Sequence, residues 1–344
     1  MILKRKPKLR LERTLSLLFI QIDSLITKST ASFIHNIPVP QLPRILLARD
    51  QLATKAKFST RLDVPFFQAN MSPILIHRPS STRGHADHDW LKTFHTFSFA
   101  SWYSPKPREN SWGPLRVINE DRVTPYNGFP PHPHREFEIF SYVVDGKIKH
   151  SDSMRNTETL KRGDIQMTSA GTGIVHGEGN GGERGEDLHF LQIWAKPHTR
   201  GLKPAYYTRH FSDEEKTNKL VQVVAPIDSD ASVVDKREAS GPTPIHADLT
   251  MYSTILEPGS TVQHTFKQPK GYLHLIMRQT GYRSQYAELD GKGPQITVTI
   301  GSQEPLKLEE GDGVYLDNVQ GETVSFEASG DGNAEFVLFD LAKE

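Results

Sequence analysis

Cysteine is absent from this chain of 344 residues. Its absence excludes disulfide bonds, thiol nucleophiles, and zinc or iron–sulfur sites that cysteine ligates, so any metal ion must be held by histidine and carboxylate side chains. A long hydrophobic run is also lacking. Residues 15–22 are apolar, but charged neighbours leave this run far shorter than the roughly 20 residues of a membrane-spanning helix. We therefore expect no membrane span.

Acidic residues are scarce in one part of the chain. Residues 1–60 contain eleven lysines and arginines but only Glu12, Asp23 and Asp50 as acids, while the remainder carries a net charge of −8. An acidic body repels phosphate groups. We therefore expect no direct binding of nucleic acid by the folded part of the protein.

Residues 1–70 differ in composition from the rest of the chain. They are basic, contain serine and threonine, and resemble a mitochondrial presequence. The alternatives are a disordered extension, or an artefact of the gene model with the true start at Met71. The predicted location is the cytoplasm, the nucleus or both, with mitochondria as the alternative if residues 1–60 act as a presequence.

From about residue 73 the chain consists of short apolar runs broken by glycine, proline, asparagine and aspartate. Examples are residues 137–144, 165–168 and 188–194, and such runs predict antiparallel strands joined by hairpins. Ser212, with Glu215 three residues later, predicts the start of a short helix. Long amphipathic stretches are scarce, so the expected fold class is all-β.

A second strand-rich region extends from about residue 221 to residue 341. Gly163-Asp164 in the first region and Gly311-Asp312 in the second each precede a strand, which indicates an internal repeat of one β-barrel unit. We therefore expect a first domain at residues 71–200 and a second at residues 201–344. Two closed barrels would bury the strand edges.

Two short motifs carry potential metal ligands, His132-Pro133-His134 and His176-Gly177-Glu178. Side chains two residues apart on a strand point to the same face, so each motif directs two ligands into one cavity. Three imidazoles and a carboxylate suit a divalent iron, manganese, nickel, copper or zinc ion. Glu138, four residues after His134, is an alternative carboxylate ligand, and spacing alone leaves both acids open.

The layout of the first cupin motif is a glycine, a His-x-His pair, an acid and a later turn glycine. This chain has these residues at Gly128, His132, His134, Glu138 and Gly146, and residues 163–180 follow the layout of the second cupin motif. The chain resembles the pirin family of that superfamily across about residues 73–344. The resemblance is carried by residues 83–87, 94–99, 113–121, 132–135, 169–178 and 190–194. It implies two tandem cupin barrels of the jelly-roll type, and one divalent metal ion, usually Fe(II), held by His132, His134, His176 and Glu178.

The resemblance also implies a chemistry, the dioxygenation of a flavonol-type or other hydroxylated aromatic substrate, as in quercetin 2,3-dioxygenases. Glu178 would be the catalytic base that accepts the substrate proton. The alternative is a redox-sensing, iron-binding transcriptional cofactor that acts through protein partners such as transcription regulators, without turnover. A monomer is expected.

The remaining histidines and aromatic residues receive other roles. Glu138, if it is not a ligand, is predicted to orient a ligand imidazole. His85, His88 and His95 are not expected to bind metal. His264 and His274 are isolated, so we predict no metal site in the second barrel. Residues Phe94, Phe97 and Phe99 are expected to belong to the core.

Overall fold

The computed structural model describes residues 72–230, 232–278 and 293–344. The predicted extension and presequence lie outside these residues. The described part contains 22 β-strands, numbered β1–β22 along the chain, and one α-helix of four residues, α1 (Asp213–Lys216). Two single turns of 3₁₀-helix occur at Ser80–Thr82 and Pro107–Glu109. No helix in the described ranges is long and apolar enough to cross a membrane.

The N-terminal half of the fold consists of two sheets. Its large sheet contains β2 (Gly84–Asp87), β3 (Leu91–His95), β4 (Leu115–Val123), β6 (Glu138–Asp145), β9 (Asp164–Ser169), β11 (Leu188–Ala195) and β12 (Ala205–His210). Its small sheet contains β5 (Gly128–His134), β7 (Lys147–Asp152), β8 (Thr157–Lys161) and β10 (Ile174–Asn180). The strand orders are β12-β9-β6-β11-β4-β3-β2 and β5-β10-β7-β8.

The two sheets of this half face each other. Val143 and Phe190 of the large sheet pack against Ile148 and Leu160 of the small sheet in one buried cluster. Strand side chains alternate between faces, so one set of residues in each sheet fills the space between the sheets. This interior also contains the predicted metal ligands.

The C-terminal half repeats this arrangement. Its large sheet contains β1 (Ile74–Arg78), β13 (Val221–Pro226), β14 (Thr243–Ile245), β15 (Leu249–Leu256), β17 (Lys270–Leu275), β20 (Gly313–Asp317) and β22 (Ala334–Leu341). Its small sheet contains β16 (Thr261–Thr265), β18 (Pro294–Ile300), β19 (Leu306–Glu309) and β21 (Thr323–Gly330). The orders are β1-β20-β17-β22-β15-β13-β14 and β16-β21-β18-β19. The small sheets of the two halves correspond strand by strand, as do β9-β6-β11-β4 and β20-β17-β22-β15 of the large sheets, whereas the outer strands differ, since β13 and β14 pair in parallel and β2 and β3 antiparallel.

The predicted Gly-Asp turns occupy equivalent places in the two halves. Gly163 joins β8 to β9 with φ of +84°, and Gly311 joins β19 to β20 with φ of +87°. Glycine adopts this left-handed conformation at little steric cost, whereas other residues are strained there. The repeated turn in the sequence therefore corresponds to a repeated turn in the fold.

The large sheets of the two halves pack back to back. Phe140 and Ile193 of the first half and Met251, Val337 and Phe339 of the second belong to one buried cluster. Burying apolar faces of this size removes them from water, which stabilises each half against the other. The metal-ligand candidates lie on the far side of the N-terminal large sheet from this contact.

The predicted all-β fold with two cupin-type halves is confirmed, as is the helix start, because Ser212 and Glu215 form a reciprocal capping box. Closed barrels are not present in the described residues, since each half is a pair of open, facing sheets. The boundary at residue 200 stays a prediction. Two strand pairings cross this boundary. Strand β12, after residue 200, pairs with β9 of the first half, and β1, before residue 200, pairs with β20 of the second half.

Candidate metal centre

The two ligand motifs lie on neighbouring antiparallel strands of the small N-terminal sheet. His132 and His134 are on β5, and His176 and Glu178 are on β10, where His176 pairs with His132. An irregularity in the register follows, so that Glu178 pairs with Phe129. The predicted alternation holds on β10, where both side chains are buried between the sheets.

The three imidazoles form a compact cluster. Ring centroids are 4.6 Å apart for His132 and His134 and 4.8 Å apart for each of these with His176. One ring nitrogen of each lies within 4.8 Å of those of the other two. This spacing is within the reach of a single first-row metal ion after small side-chain adjustments, because such ions bind imidazole nitrogen at about 2.0–2.1 Å.

Several nitrogens of this cluster are suited to bind a metal. His132 Nδ1 lies 2.8 Å from the carbonyl oxygen of Pro130, to which it donates, leaving Nε2 as the ligand atom. His134 Nε2 and both ring nitrogens of His176 are buried and have no hydrogen-bond partner in the part of the chain that the structure describes. Buried polar atoms are normally satisfied, so this donor set fits a bound cation.

Burial keeps two of these histidines neutral at physiological pH. Burial lowers the pKa of His134 to about 2, with added repulsion from His176 and His132. Burial also lowers the pKa of His176 to about 4, although the charge of Glu178 opposes the effect. Neutral imidazole is the form that binds metal, so the site is prepared for an ion at neutral pH.

Glu178 is held from across the interior by the large sheet. Its carboxylate accepts hydrogen bonds from Gln166 Nε2, from Ser141 Oγ at 3.3 Å and from Gln192 Nε2 at 3.1 Å. These donors come from three strands, β9, β6 and β11. The spacing of the ligand motifs does not reveal these donors. Gln192, a polar residue within a largely apolar strand, is the sequence signal that indicates an inward-facing role.

A fourth histidine, also missed, lies in the same interior. His150 on β7 is directly opposite Glu178 in the pairing of β7 with β10. The potential ligand atoms of His150, His176 and Glu178 lie within 4.8 Å of one another, and all three residues are buried. The alternation Ile148, His150, Asp152 is the sequence signal, because it places all three on one face of a strand.

The role predicted for Glu138 is wrong. Glu138 accepts hydrogen bonds from Ser169 Oγ at 2.5 Å and from the backbone nitrogen of His246 at 3.2 Å. It lies on the face of β6 that packs towards the C-terminal half, whereas Ser141 on the same strand reaches Glu178. Burial raises the pKa of Glu138. This residue does not orient a ligand imidazole.

An aromatic wall, formed by Trp194, Phe137 and Phe99, lies beside the histidine cluster. The Trp194 ring is 4.8 Å from that of His134, 5.4 Å from Phe137 and 5.6 Å from Phe99. All three aromatic residues are half-buried. The three phenylalanines expected in the core are therefore divided: Phe94 and Phe97 are buried in the core, whereas Phe99 is half-buried and forms part of the wall.

The other histidines make contacts elsewhere. His85 Nδ1 lies 3.2 Å from the carbonyl oxygen of Thr93, and His95 packs edge-on against Phe99. His88 lies beside a surface pocket of about 150 Å³. In the C-terminal half, His264 pairs with Asp340 at 3.1 Å, and His274 pairs with Glu120 at 2.8 Å.

Two facing-sheet halves with a histidine–carboxylate cluster inside the first define a cupin-type protein with a candidate metal centre. The pirin family model matches residues 77–195. The chain is 34% identical over 265 residues to a quercetin 2,3-dioxygenase of Escherichia coli K12, covering 77% of this chain and 97% of the relative. It is 34% identical over 235 residues to a pirin-like protein of Caulobacter vibrioides, covering 67% and 96%. The chain therefore belongs to the pirin family.

A solved structure of the bacterial pirin YhhW from Escherichia coli, in complex with nickel(II), has the same fold. It superposes with a TM-score of 0.62 at 31% sequence identity, covering 79% of this chain and 100% of that protein. The family relationship thus extends over both halves.

Proposed function

We propose that this protein is a metal-dependent dioxygenase that acts on a flavonol-type or other hydroxylated aromatic substrate. The observation that carries the proposal is the convergence of His132, His134 and His176, each of which has a ring nitrogen within 4.8 Å of those of the other two. His134 Nε2 and both nitrogens of His176 are buried without a partner among the described residues, and a Glu178 oxygen lies within 4.8 Å of His176. These four residues would hold one divalent ion. The relatives support this reading, since one is named a quercetin 2,3-dioxygenase.

Iron(II) is the metal that we propose, with manganese, nickel, copper and zinc as alternatives. Three imidazoles and one carboxylate are a donor set that all these ions accept. The structure of the related YhhW contains nickel(II), so affinity by itself does not identify the ion used in the cell. When bound, the metal would supply the redox chemistry that dioxygen requires.

The protein residues would bind the substrate and manage its proton. The aromatic wall offers apolar ring surfaces next to His134, and ring contacts of this kind favour an aromatic ligand. Glu178 would accept the proton of a substrate hydroxyl group as general base. Gln192 and Gln166 hold the carboxylate in place, so that its position does not depend on the substrate.

The cellular setting belongs to the same proposal. We expect a monomer in the cytoplasm, and the bacterial relatives give no support to a nuclear or mitochondrial location. Dioxygen and a small aromatic molecule are the expected partners. Protein partners of the kind that a transcriptional cofactor requires stay a prediction of the alternative function.

Oxygen uptake tests the proposal directly. The full chain is loaded with Fe(II) under anaerobic conditions and mixed with oxygenated buffer, with and without quercetin. We expect oxygen uptake that requires the flavonol and disappears in His176→Ala. Glu138→Gln should retain this uptake, because Glu138 lies on the opposite face of the large sheet from the metal ligands. Stoichiometric iron binding with no uptake over a panel of flavonoids would contradict the dioxygenase and favour the redox-sensing cofactor.

A further inference from the structure

One ring nitrogen of His150 is hydrogen-bonded, and the other has no hydrogen-bond partner among the described residues. Its Nε2 lies 3.1 Å from Asp152 Oδ2. The Asp152 carboxylate also accepts from the backbone nitrogens of Met154 and Asn156 and from the Asn156 side chain, at 2.9, 3.0 and 2.7 Å. Since Asp152 is the acceptor in all of these hydrogen bonds, His150 Nε2 carries the hydrogen. In the neutral ring, Nδ1 then carries a lone pair.

That lone pair lies in the interior beside the candidate metal centre. His150 is 0% exposed, and its Nδ1 has no hydrogen-bond partner among the described residues. Its ring is 5.5 Å from that of His176 and stacks on Tyr206 at 4.8 Å, which fixes its orientation. A buried acceptor without a donor is costly unless a cation or a proton donor satisfies it.

Its neighbours offer lone pairs as well. Glu178 accepts hydrogen bonds from side-chain donors of the large sheet. Both nitrogens of His176 are unpartnered within the described ranges, and one of them carries a lone pair in the neutral ring. Three electron-rich groups therefore approach within 4.8 Å of one another. Two imidazoles and one carboxylate are a recurring set of ligands for divalent metals.

The hydrogen bond to Asp152 matches the usual support of a metal ligand. Histidines that bind metal commonly donate their second N–H to a carboxylate or a carbonyl oxygen, which orients the ring. His132 follows this pattern through Pro130, and His150 follows it through Asp152. His150 is therefore built like the ligands that the sequence predicts.

We propose that His150, His176 and Glu178 form a second, inner position for the same metal ion, next to the outer position at which His132, His134 and His176 would hold it together with Glu178. The inference rests on the proposed metal site and adds His150 to it. His176 belongs to both groups. His150, His176 and Glu178 are all buried, whereas His132 and His134 are partly exposed. The outer position is thus the one open to a substrate, and the inner one can retain the ion when outer ligands are lost or displaced.

Cobalt(II) binding by the full chain tests the inference without reference to activity. The visible absorption of bound cobalt reports its coordination, and titration gives the affinity. We expect the double variant His132→Ala, His134→Ala to bind a single cobalt ion still, more weakly than the wild type but more tightly than His176→Ala. Adding His150→Gln to that variant should lower the residual binding to the level of His176→Ala. His210→Gln, a histidine paired with Asp164 outside the interior, is the matched control.

The outcomes separate this inference from the proposed function. Loss of cobalt binding in the double variant to the level of His176→Ala, with the wild type binding normally, would overturn the inner position and leave the dioxygenase intact. Absence of metal binding in the wild type would overturn both. If the double variant does not fold, His150→Gln alone decides, because it should change the cobalt spectrum and lower the affinity. An unchanged spectrum and affinity would overturn the inference.

Discussion

Gln192 Nε2 donates a 3.1 Å hydrogen bond to Glu178 Oε2, across the interior from one sheet to the other. Gln192 lies on β11 of the large sheet and Glu178 on β10 of the small sheet. The bond therefore connects the position of a proposed metal ligand to the packing of the whole N-terminal half. Hydrogen bonds from residues that do not themselves bind the metal set the orientation of metal ligands.

We expect Gln192→Leu, which preserves volume but removes the donor, to weaken metal binding by about ten- to a hundredfold. The reason is that Glu178 loses one of three donors and gains rotational freedom. Calorimetric titration with Ni(II) measures the change. Gln320→Leu, at an exposed glutamine of the C-terminal half, is the control, and equal affinities of the two variants would contradict the role of Gln192.

The two acids of the motif region should differ in their effect on metal binding. Glu178→Gln replaces a proposed ligand and should lower Ni(II) affinity by more than about a hundredfold, beyond the range of an outer contact. Glu138→Gln should change Ni(II) affinity by much less than the roughly ten- to hundredfold expected for a residue that supports a metal ligand. The reason is that Glu138 accepts hydrogen bonds from Ser169 and His246 on the opposite face of the sheet. Similar losses in both variants would refute the assignment of Glu178.

The grouping of the ligand motifs was predictable because it depends on local geometry. His132 and His134, like His176 and Glu178, are two residues apart on one strand, and alternation alone puts each pair on one face. The face of Glu138 was not predictable in this way. Strand β6 is buried on both sides apart from its last residue, so apolar residues occupy both of its faces and the sequence shows no period that distinguishes inward from outward positions.

The partners of Glu178 depend on long-range structure that spacing does not encode. Ser141, Gln166 and Gln192 reach it only because the large and small sheets face each other. His150 faces Glu178 because β7 pairs with β10, and these strands are not consecutive in the chain. The strands and the repeated fold were predicted from turns and apolar runs, whereas the pairing order required the structure.

The aromatic wall should determine substrate affinity. Trp194 contacts His134, Phe137 and Phe99 through its ring, and an aromatic contact is worth about 0.5–1.5 kcal/mol beyond its buried area. We expect Trp194→Ala to raise the KM for a flavonol about tenfold, which corresponds to about 1.4 kcal/mol, with Ni(II) affinity retained.

Steady-state oxygen uptake measures the KM, and Trp102→Ala is the matched control. The Trp102 ring lies against the guanidinium of Arg78, and Trp102 is joined to Phe99 through backbone hydrogen bonds, which the substitution leaves in place. An unchanged KM in Trp194→Ala, or a parallel loss of metal, would show that the wall does not contact the substrate.

His95 should make the metal-free protein less stable in acid. It is 4% exposed, and burial lowers its pKa from 6.5 to about 3, with further repulsion from Arg83 and His85. Between these two values the unfolded chain binds a proton that the folded protein does not. The free energy of unfolding therefore falls as the pH decreases from about 6.5 towards 3, with a slope of up to about 1.4 kcal/mol per pH unit for this residue.

We expect His95→Gln to reduce that slope by up to about 1.4 kcal/mol per pH unit, the contribution of one proton, because glutamine does not titrate. Urea denaturation of the metal-free protein at intervals between pH 4 and pH 8 measures it. At pH 8 the histidine is neutral in both the folded and the unfolded state, so the difference between variant and wild type there gives the packing cost alone. After subtraction of that cost, the variant should be relatively more stable at pH 4.5. Parallel curves for the two proteins over the whole range would contradict a neutral, buried His95.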